Sequence, residues 1–348
     1  LDVEAVDETL YRRIYPPQWP TWTRYIRESF IDLEPPRHTR LRGLVSKALS
    51  RRSSETFRPI LEQAADELID SALAKGSMEA ISEYATPIPV LMIADLMGIP
   101  SEDHPRLIEW SNQIVKVFDQ NVSEEDGAAA ERATTAFVEY IGRKVAERRA
   151  HRGGDLISTM IDVDESGDGL SDEEVISTSI LTLNAGHEAT VHAIGNGLLA
   201  LARHPAEYER LRSGAVDVGT AVDELLRFDS PLQMFERWVL EDGVEVGGTT
   251  VAKGEKVGLL FGSGNHDPAA FGDDADHLDL TRSPNPHLSF GGGLHFCVGA
   301  PLARVELECA FAALAKKVKA FEVASIGPRI ESLVFRGVTA IEVNLLPS

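Results

Sequence analysis

One cysteine near the end of the chain stands in a glycine-rich run that suits a metal ligand. Cys297 lies within FGGGLHFCVG, residues 290–299, and a helical pattern, PLARVEL, follows at residues 301–307. Glycine lets the backbone pass close to a large flat group, because a Cβ atom would clash or resist the required φ values. A helix that starts after Cys297 would place N–H groups and its positive dipole end near the sulfur. The pattern therefore predicts a metal-ligating thiolate, rather than the small buried apolar residue that an isolated cysteine often is.

The whole pattern, Phe-x-x-Gly-x-His-x-Cys-x-Gly, resembles the haem-binding loop of the cytochrome P-450 superfamily at every defining position. The resemblance implies haem b as the cofactor, with Cys297 as the proximal ligand of its iron. It also implies that Phe290, Gly291 and Gly299 bind the cofactor as parts of this loop, and that His295 contacts a haem propionate.

A second segment, NAGHEATVH, resembles the oxygen-binding part of the family's central helix. By this resemblance Gly186 lets the helix loosen beside a ligand, and Glu188 is the acidic residue of the proton path. Ala189 stands where most members carry a threonine, so a hydroxyl donor and acceptor is missing there. Thr190 is no simple substitute, because it is rotated by about 100° around the helix.

Three explanations compete for proton delivery without that hydroxyl. A substrate hydroxyl with ordered water completes the relay, His187 or Glu188 takes a larger share, or turnover is driven by peroxide. We prefer the first. Peroxide-using relatives usually replace the acidic residue by an arginine and proline pair, which this chain lacks, so Glu188 favours ordinary monooxygenation.

Haem carries two propionates, and buried carboxylates need cationic partners. The run PPRHTRLR, residues 35–42, resembles the family's early helix, in which a histidine and the arginine four residues later contact propionates. This implies that His38 and Arg42 bind the cofactor. Arg237 matches a third propionate contact, and His295 is the fourth.

Glu224 and Arg227 match the family's Glu-x-x-Arg helix, whose ion pair joins a third basic residue to brace the core. The nearest match for that third residue is His277, so we expect a weaker or pH-sensitive brace.

Two patterns imitate other metal sites. His187 and His192 flank a glutamate as in the zinc motif His-Glu-x-x-His, but five-residue spacing separates them by about 140° around a helix. Residues 162–173 fit a calcium loop by type and spacing, with Asp162, Asp164 and Glu173 as ligands. Gly169 replaces the usual apolar residue, and Glu173 belongs to a helix start, so a solvated acidic turn is the simpler interpretation.

Helical periodicity dominates the chain. It predicts helices over residues 55–75, ended by Gly76, and over residues 131–149. A capping box at Ser171 starts a long helix that reaches about Arg203, and Pro205 opens the next one. Strand patterns are confined to short pieces at residues 238–240, 243–251, 257–261 and 341–343. The fold class is mainly α with small β-sheets.

The resemblance implies the cytochrome P-450 fold, a triangular helical body with haem between the long central helix and the helix after the cysteine loop. It further implies a single domain over residues 1–348 that lacks the family's usual amino-terminal helix and strands. By the same analogy, the pocket walls come from the 10–28 loop, residues 112–125, 183–189 and 232–234, and Leu333 with Val334.

Composition limits the other possibilities. The 348 residues are 43% hydrophobic and carry a formal net charge of −21, which predicts a soluble globular protein and argues against nucleic acid as a partner. No run approaches the roughly 20 apolar residues of a membrane span, so we expect no membrane partner and a cytoplasmic location. Cys297 and Cys309, the two cysteines, are too far apart along a helix to form a disulfide.

Together these features predict a bacterial haem-thiolate monooxygenase that hydroxylates or epoxidises a medium-sized, mostly hydrophobic substrate. The resemblance implies O2 and electrons from a ferredoxin and ferredoxin reductase. Exposed cations could receive the acidic ferredoxin, namely Arg40, Lys47, Arg51, Arg52 and Arg304. The alternatives are a peroxide-dependent haem oxidase and a haem-thiolate ligand sensor.

Overall fold

Helices make up most of the chain, as the periodicity predicts. A computed structural model describes residues 16–118, 122–163 and 170–347. The α-helices in these ranges are α1 (Pro20–Arg27), α2 (Arg37–Ala48), α3 (Arg51–Glu55), α4 (Arg58–Lys75), α5 (Pro87–Met97), α6 (His104–Val115), α7 (Glu124–Ala150), α8 (Leu156–Val163), α9 (Asp172–Arg203), α10 (Pro205–Arg212), α11 (Val218–Phe228), α12 (Phe261–Gly264), α13 (Pro268–Phe271) and α14 (Ala300–Lys317).

The strands are short and form small antiparallel sheets. They are β1 (Ser77–Glu79), β2 (Phe235–Trp238), β3 (Val244–Val246), β4 (Thr249–Val251), β5 (Lys256–Leu259), β6 (Val318–Ile326) and β7 (Ile341–Pro347). One sheet has the order β1-β7-β6, while β2 pairs with β5 and β3 with β4. The sequence missed β1 and β6, and it placed at residues 238–240 a strand that ends at Trp238. The mainly α class with small sheets is confirmed.

Two predicted helix ends follow from local chemistry. Gly76 ends α4 in the left-handed conformation, with φ of 76°, and its N–H donates to the Leu73 carbonyl. At the start of α9, the Ser171 hydroxyl accepts from the Glu174 N–H at 3.2 Å, and the Ser171 N–H donates to the Glu174 carboxylate at 3.0 Å. This capping box satisfies two groups that a helix leaves open, so the 32-residue helix begins where the sequence predicts.

The described chain divides into two compact units. The first comprises residues 1–44, 105–184 and 234–260, of which the described part contains α1 packed on α7. The Glu131 carboxylate of α7 accepts from the N–H groups of Thr21 and Trp22, both at 2.9 Å, and so caps the start of α1. Residues 20–27 are therefore helical, although the sequence analysis treated 10–28 as a loop.

The second unit comprises residues 45–104, 185–233 and 261–348. Its core is α14 against α4 and α11, beside the β1-β7-β6 sheet. The end of α9 packs tightly on α14, because a Cβ atom at Gly197 would lie 2.4 Å from the Phe311 ring. A glycine there lets the end of α9 approach α14 closely.

The structure can be compared with the sequence only in part for the acidic calcium-like loop and for membrane-spanning helices. Most of the acidic calcium-like loop, residues 164–169, lies outside the described residues. Within the part that is described, no cluster of three or more histidine, cysteine or acidic side chains is arranged to hold a metal ion. The helices of these ranges also include none that is long and apolar enough to span a membrane.

Candidate active site

The cysteine loop is a tight turn directly before α14. The Cys297 N–H donates to the Phe290 carbonyl at 2.8 Å, which closes the loop, and Gly291 and Gly293 have φ values of 71° and 67°. Such values favour glycine, so the glycine-rich sequence is required by the backbone itself. A short 3₁₀ turn, Gly293–His295, leads to the half-buried Cys297, and α14 begins at Ala300. Neither cysteine forms a disulfide.

This loop has the surface and the donor that a haem group needs. A Cβ atom at Gly292 or Gly293 would meet no atom within 4 Å, so the backbone there borders open space. The apolar side chains of Leu294 and Phe296 are 60% and 39% exposed. An open glycine surface with apolar neighbours and one thiolate fits a large flat cofactor with a soft axial ligand.

The segment before the cysteine loop is held by buried hydrogen bonds. The Asn265 amide accepts from the Leu288 N–H at 2.6 Å and donates to the Ser289 hydroxyl at 2.9 Å. Ser289 in turn donates to the Leu226 carbonyl of α11 at 2.7 Å. The run NHDP, which begins at Asn265, is a further match to the family, but nothing in the sequence singles out Ser289.

A second set of contacts holds the Phe290 ring. Asp223 on α11 lies 3.3 Å from His287 Nε2 and accepts from Arg304 Nε at 2.9 Å. The Arg304 guanidinium stacks over the Phe290 ring at 4.6 Å. Arg304 is therefore engaged at the loop, and the prediction that it belongs to an exposed basic patch is wrong. These partners lower the pKa of Asp223 against the opposing effect of its burial.

The Glu-x-x-Arg brace is present, but its third member is Arg282. Arg227 donates to both oxygens of Glu224 at 2.7 and 2.8 Å, and both side chains are fully buried. Arg282 lies 3.3 Å from the same carboxylate and Asn285 donates to it at 3.0 Å. His277 contributes only its backbone carbonyl, which accepts from Arg227 at 3.0 Å. The expectation of a histidine and a pH-sensitive brace is wrong, since arginine stays charged.

The middle of α9 opens on one side. Every residue of 177–184 and 190–201 is buried, whereas Ala185 is exposed and Gly186, Glu188 and Ala189 are half-buried. The helix is continuous here, so no local loosening at Gly186 is present; a Cβ atom there would lie 3.0 Å from the Ile93 side chain. An open patch in an otherwise buried helix is a site where a ligand can lie against the backbone.

Thr190 faces away from that patch and toward α14. Its hydroxyl donates to the Glu306 carboxylate at 3.3 Å, and both side chains are buried. Burial raises the pKa of Glu306 to about 8, while the Thr190 hydrogen bond lowers it. Sequence analysis missed Glu306, yet an acid between Val305 and Leu307 in an apolar helical pattern is a signal of a buried carboxyl group.

The predicted propionate ligands fall in both units. His38 is buried near the start of α2 with Arg42 half-buried one turn later, and Arg237 lies on β2 with its guanidinium 5.2 Å from the Phe235 ring. These three belong to the first unit, whereas His295 and the cysteine loop belong to the second. Arg40, predicted to be an exposed cation, forms an ion pair with Glu174 of α9 instead.

These observations define a mainly helical protein with a thiolate loop before a long helix and an opened central helix, the elements of a haem-thiolate protein. The family model for cytochrome P450 matches residues 6–216 and 218–329, and the chain belongs to this family. It is a cytochrome P450 monooxygenase, and its cofactor is haem b.

Several relatives resemble the chain over nearly its whole length. The polyketide biosynthesis cytochrome P450 PksS of Bacillus subtilis is 36% identical over 92% of this chain and 78% of that protein. The biotin biosynthesis cytochrome P450 of the same organism is 37% identical over 89% and 78%. Among solved structures, P450BioI bound to a hexadec-9Z-enoic acid ligated acyl carrier protein has a TM-score of 0.91 at 33% identity, with 98% of this chain and 86% of that one covered. CYP267B1 with myristic acid has 0.90 at 37%, with 98% and 84% covered. The predicted cytochrome P450 fold is confirmed.

Proposed function

We propose that this monooxygenase hydroxylates or epoxidises the aliphatic part of a medium-sized to long hydrophobic substrate, with electrons from a ferredoxin and its reductase in the cytoplasm. The observation that carries the haem-thiolate assignment is the glycine loop that presents Cys297 beside open space directly before α14. Support for the substrate class comes from relatives. P450BioI was solved with a fatty acyl chain on its carrier protein, CYP267B1 with myristic acid, and PksS acts in polyketide biosynthesis.

In this proposal each site residue has one task. Cys297 ligates the iron; Phe290, Gly291 and Gly299 shape the loop; and the propionates are held by cationic side chains, namely His38, Arg42, Arg237 and His295. Bound haem supplies the activation of O2 and the transfer of one oxygen atom to the substrate.

The residues of α9 beside the open patch have separate roles in this proposal. Gly186 and Ala189 give the substrate and O2 space beside α9, and Glu188 moves protons at its carboxylate oxygens. The Thr190 hydroxyl holds Glu306 rather than replacing the hydroxyl missing at Ala189.

The absorption spectrum of the reduced, carbon monoxide-bound protein tests the thiolate. We expect the red-shifted Soret band of a thiolate-ligated haem in the wild type and its loss in Cys297→Ser. Cys309→Ser is the matched control, because Cys309 is buried in α14 and should leave the band in place. A wild-type spectrum without this band would refute the assignment of Cys297.

Substrate titrations test the chemical class. The ligands to be titrated are myristic acid, a fatty acyl carrier protein and testosterone, the ligand of the similar structure CYP109E1. The readout is a shift of the ferric absorption spectrum on binding. We expect shifts with the fatty acyl ligands at micromolar concentrations and product from the same ligands. A response to testosterone alone would contradict an aliphatic substrate.

The remaining exposed cations are candidates for ferredoxin docking. Lys47 at the end of α2 and Arg51 and Arg52 at the start of α3 are exposed and close in sequence. In a protein of net charge −21, an acidic partner needs such a local basic patch. Reversing the charge at Lys47 and Arg51 should raise the KM for ferredoxin without changing substrate affinity. Lys319→Glu, an exposed lysine on β6, is the control, and an unchanged KM in the double variant would refute this docking site.

Peroxide-driven turnover is the second candidate, because Ala189 lacks the hydroxyl of most members. It predicts efficient product formation from hydrogen peroxide without redox partners and little product from the ferredoxin system. The retained Glu188 favours the ferredoxin route. Measuring both routes on one substrate separates the two functions.

A further inference from the structure

His192 on α9 is a buried histidine beside the acidic residue of the candidate proton path. It is 6% exposed and lies one helical turn after Glu188, with its Nε2 atom 3.7 Å from Glu188 Oε1. Neither ring nitrogen of His192 hydrogen-bonds another group among the described residues. Burying a polar ring without hydrogen bonds costs free energy, so we expect the His192 imidazole to have a hydrogen-bond partner. Glu188 is at ion-pair distance, slightly too far for a direct hydrogen bond. One intervening water or a small torsion would close a gap of this size.

The backbone around residue 337 shapes a space for this ring. A Cβ atom at Gly337 would lie 2.2 Å from His192 Nδ1, and the Phe335 ring centroid is 6.3 Å from that of His192. Only glycine therefore fits against the imidazole, and the covering segment keeps the ring inside the protein. Between them, Arg336 directs its guanidinium to Asp229 and does not compete for Glu188.

The same face of α9 continues toward polar groups at its far end. Asn196 follows His192 by one turn and donates to the carbonyls of Asp229 and Arg336 at 3.2 and 2.9 Å. Residues spaced by four lie along one face of a helix. A polar line thus runs from Glu188 through His192 to Asn196, inside a helix whose other residues here are largely apolar.

We propose that His192 exchanges protons with Glu188 and positions its carboxylate. In this step the Nε2–H bond of the imidazolium breaks, the proton moves to Glu188 Oε1, and a neutral imidazole and a neutral carboxylic acid result. Glu188 then releases the proton on the open side of α9, and a proton that Glu188 takes up there returns to His192 by the reverse transfer. No electron moves. This inference rests on the proposed role of Glu188 and adds a residue that the central-helix motif does not assign.

The first test observes the pair without turnover. Histidine is labelled with ¹⁵N in the reduced, carbon monoxide-bound holoenzyme, which is diamagnetic, and the His192 signals are identified by their loss in His192→Asn. In Glu188→Gln at fixed pH, we expect the Nε2 signal of His192 to shift, because the neighbouring charge is gone, while the His204 signals stay in place. An unshifted Nε2 signal would overturn the pairing.

The second test measures turnover. His192→Asn keeps a polar group of similar reach but cannot carry a proton as imidazole does. We expect kcat to fall about a hundredfold, at the low end of general acid–base effects, with KM changed less than about twofold. The solvent deuterium isotope effect on kcat should rise, because proton delivery becomes slower than the other steps. His204→Asn, just beyond the end of α9, is the matched control and should leave both constants unchanged.

The outcomes separate this inference from the proposed function. If the thiolate Soret band is present and turnover is unchanged in His192→Asn, the proton-exchange role fails while the monooxygenase assignment stands. If His187→Asn lowers kcat and His192→Asn does not, the wrong histidine of the helix was chosen. If the Soret band is absent in the wild type, the assignment of Cys297 fails first.

Discussion

The buried carboxyl group of Glu306 gives a quantitative prediction. Burial raises its pKa from the ordinary value of 4.5 to about 8. Between these values the folded protein keeps a proton that the unfolded chain has released, so stability falls as pH rises through this window. One pKa unit corresponds to about 1.36 kcal/mol. Raising the pH from about 6 to about 8.5 crosses roughly two units of this window. The titration of Glu306 should therefore lower the free energy of unfolding by about 2.5 kcal/mol.

Glu306→Gln removes this titration while it keeps the shape of the side chain and a partner for the Thr190 hydroxyl. The free energy of unfolding is measured in urea on holoenzyme at equal haem loading. The difference between variant and wild type should be larger at about pH 8.5 than at about pH 6, by about 2.5 kcal/mol in favour of the variant. Glu322→Gln, an exposed acid on β6, controls for the general effect of net charge. A difference between Glu306→Gln and wild type that does not change with pH would refute the buried neutral carboxyl.

Two further predictions concern the second unit. Arg282→Gln should lower the free energy of unfolding in urea by about 3 kcal/mol, because the buried Glu224 carboxylate loses one of its cationic partners. His277→Ala should change this free energy little, since only the backbone of His277 joins the brace. Burial raises the pKa of the Cys309 thiol to about 12. A thiol reagent at neutral pH should therefore leave Cys309 unmodified in the native protein and modify it after unfolding. Rapid labelling of Cys309 in the native protein would contradict its position in the core.

Features set by neighbouring residues could be predicted from the sequence. The left-handed end of α4 at Gly76 and the capping box at Ser171 depend on groups within three residues of each other. The cysteine loop is also local, since its glycine conformations and its closing hydrogen bond lie within residues 290–297. Strand β6 was missed because it follows α14 without a glycine or proline and its side chains are mostly exposed.

Features that join distant segments could not be predicted in this way. Glu224 and Arg282 are 58 residues apart, and spacing alone gives no reason to prefer Arg282 to His277 as the third member of the brace. The Thr190 and Glu306 contact joins two helices separated by 116 residues. Even so, a carboxylate in an apolar helical stripe signals a buried acid, and this signal could have directed attention to Glu306 before its partner was known.

The two sides of α9 narrow the choice among the routes for proton delivery. Thr190 is buried and directed to Glu306, so its hydroxyl does not reach the open patch that Ala189 borders. Glu188 is a half-buried titratable side chain at this patch, and His192 lies at ion-pair distance from it. We infer that the missing hydroxyl at Ala189 is compensated from the pocket, by substrate or water, while the protein side of the relay is Glu188 supplied by His192. A route through Thr190 would require its hydroxyl to leave the buried carboxyl of Glu306, which would then lose its hydrogen bond inside the core.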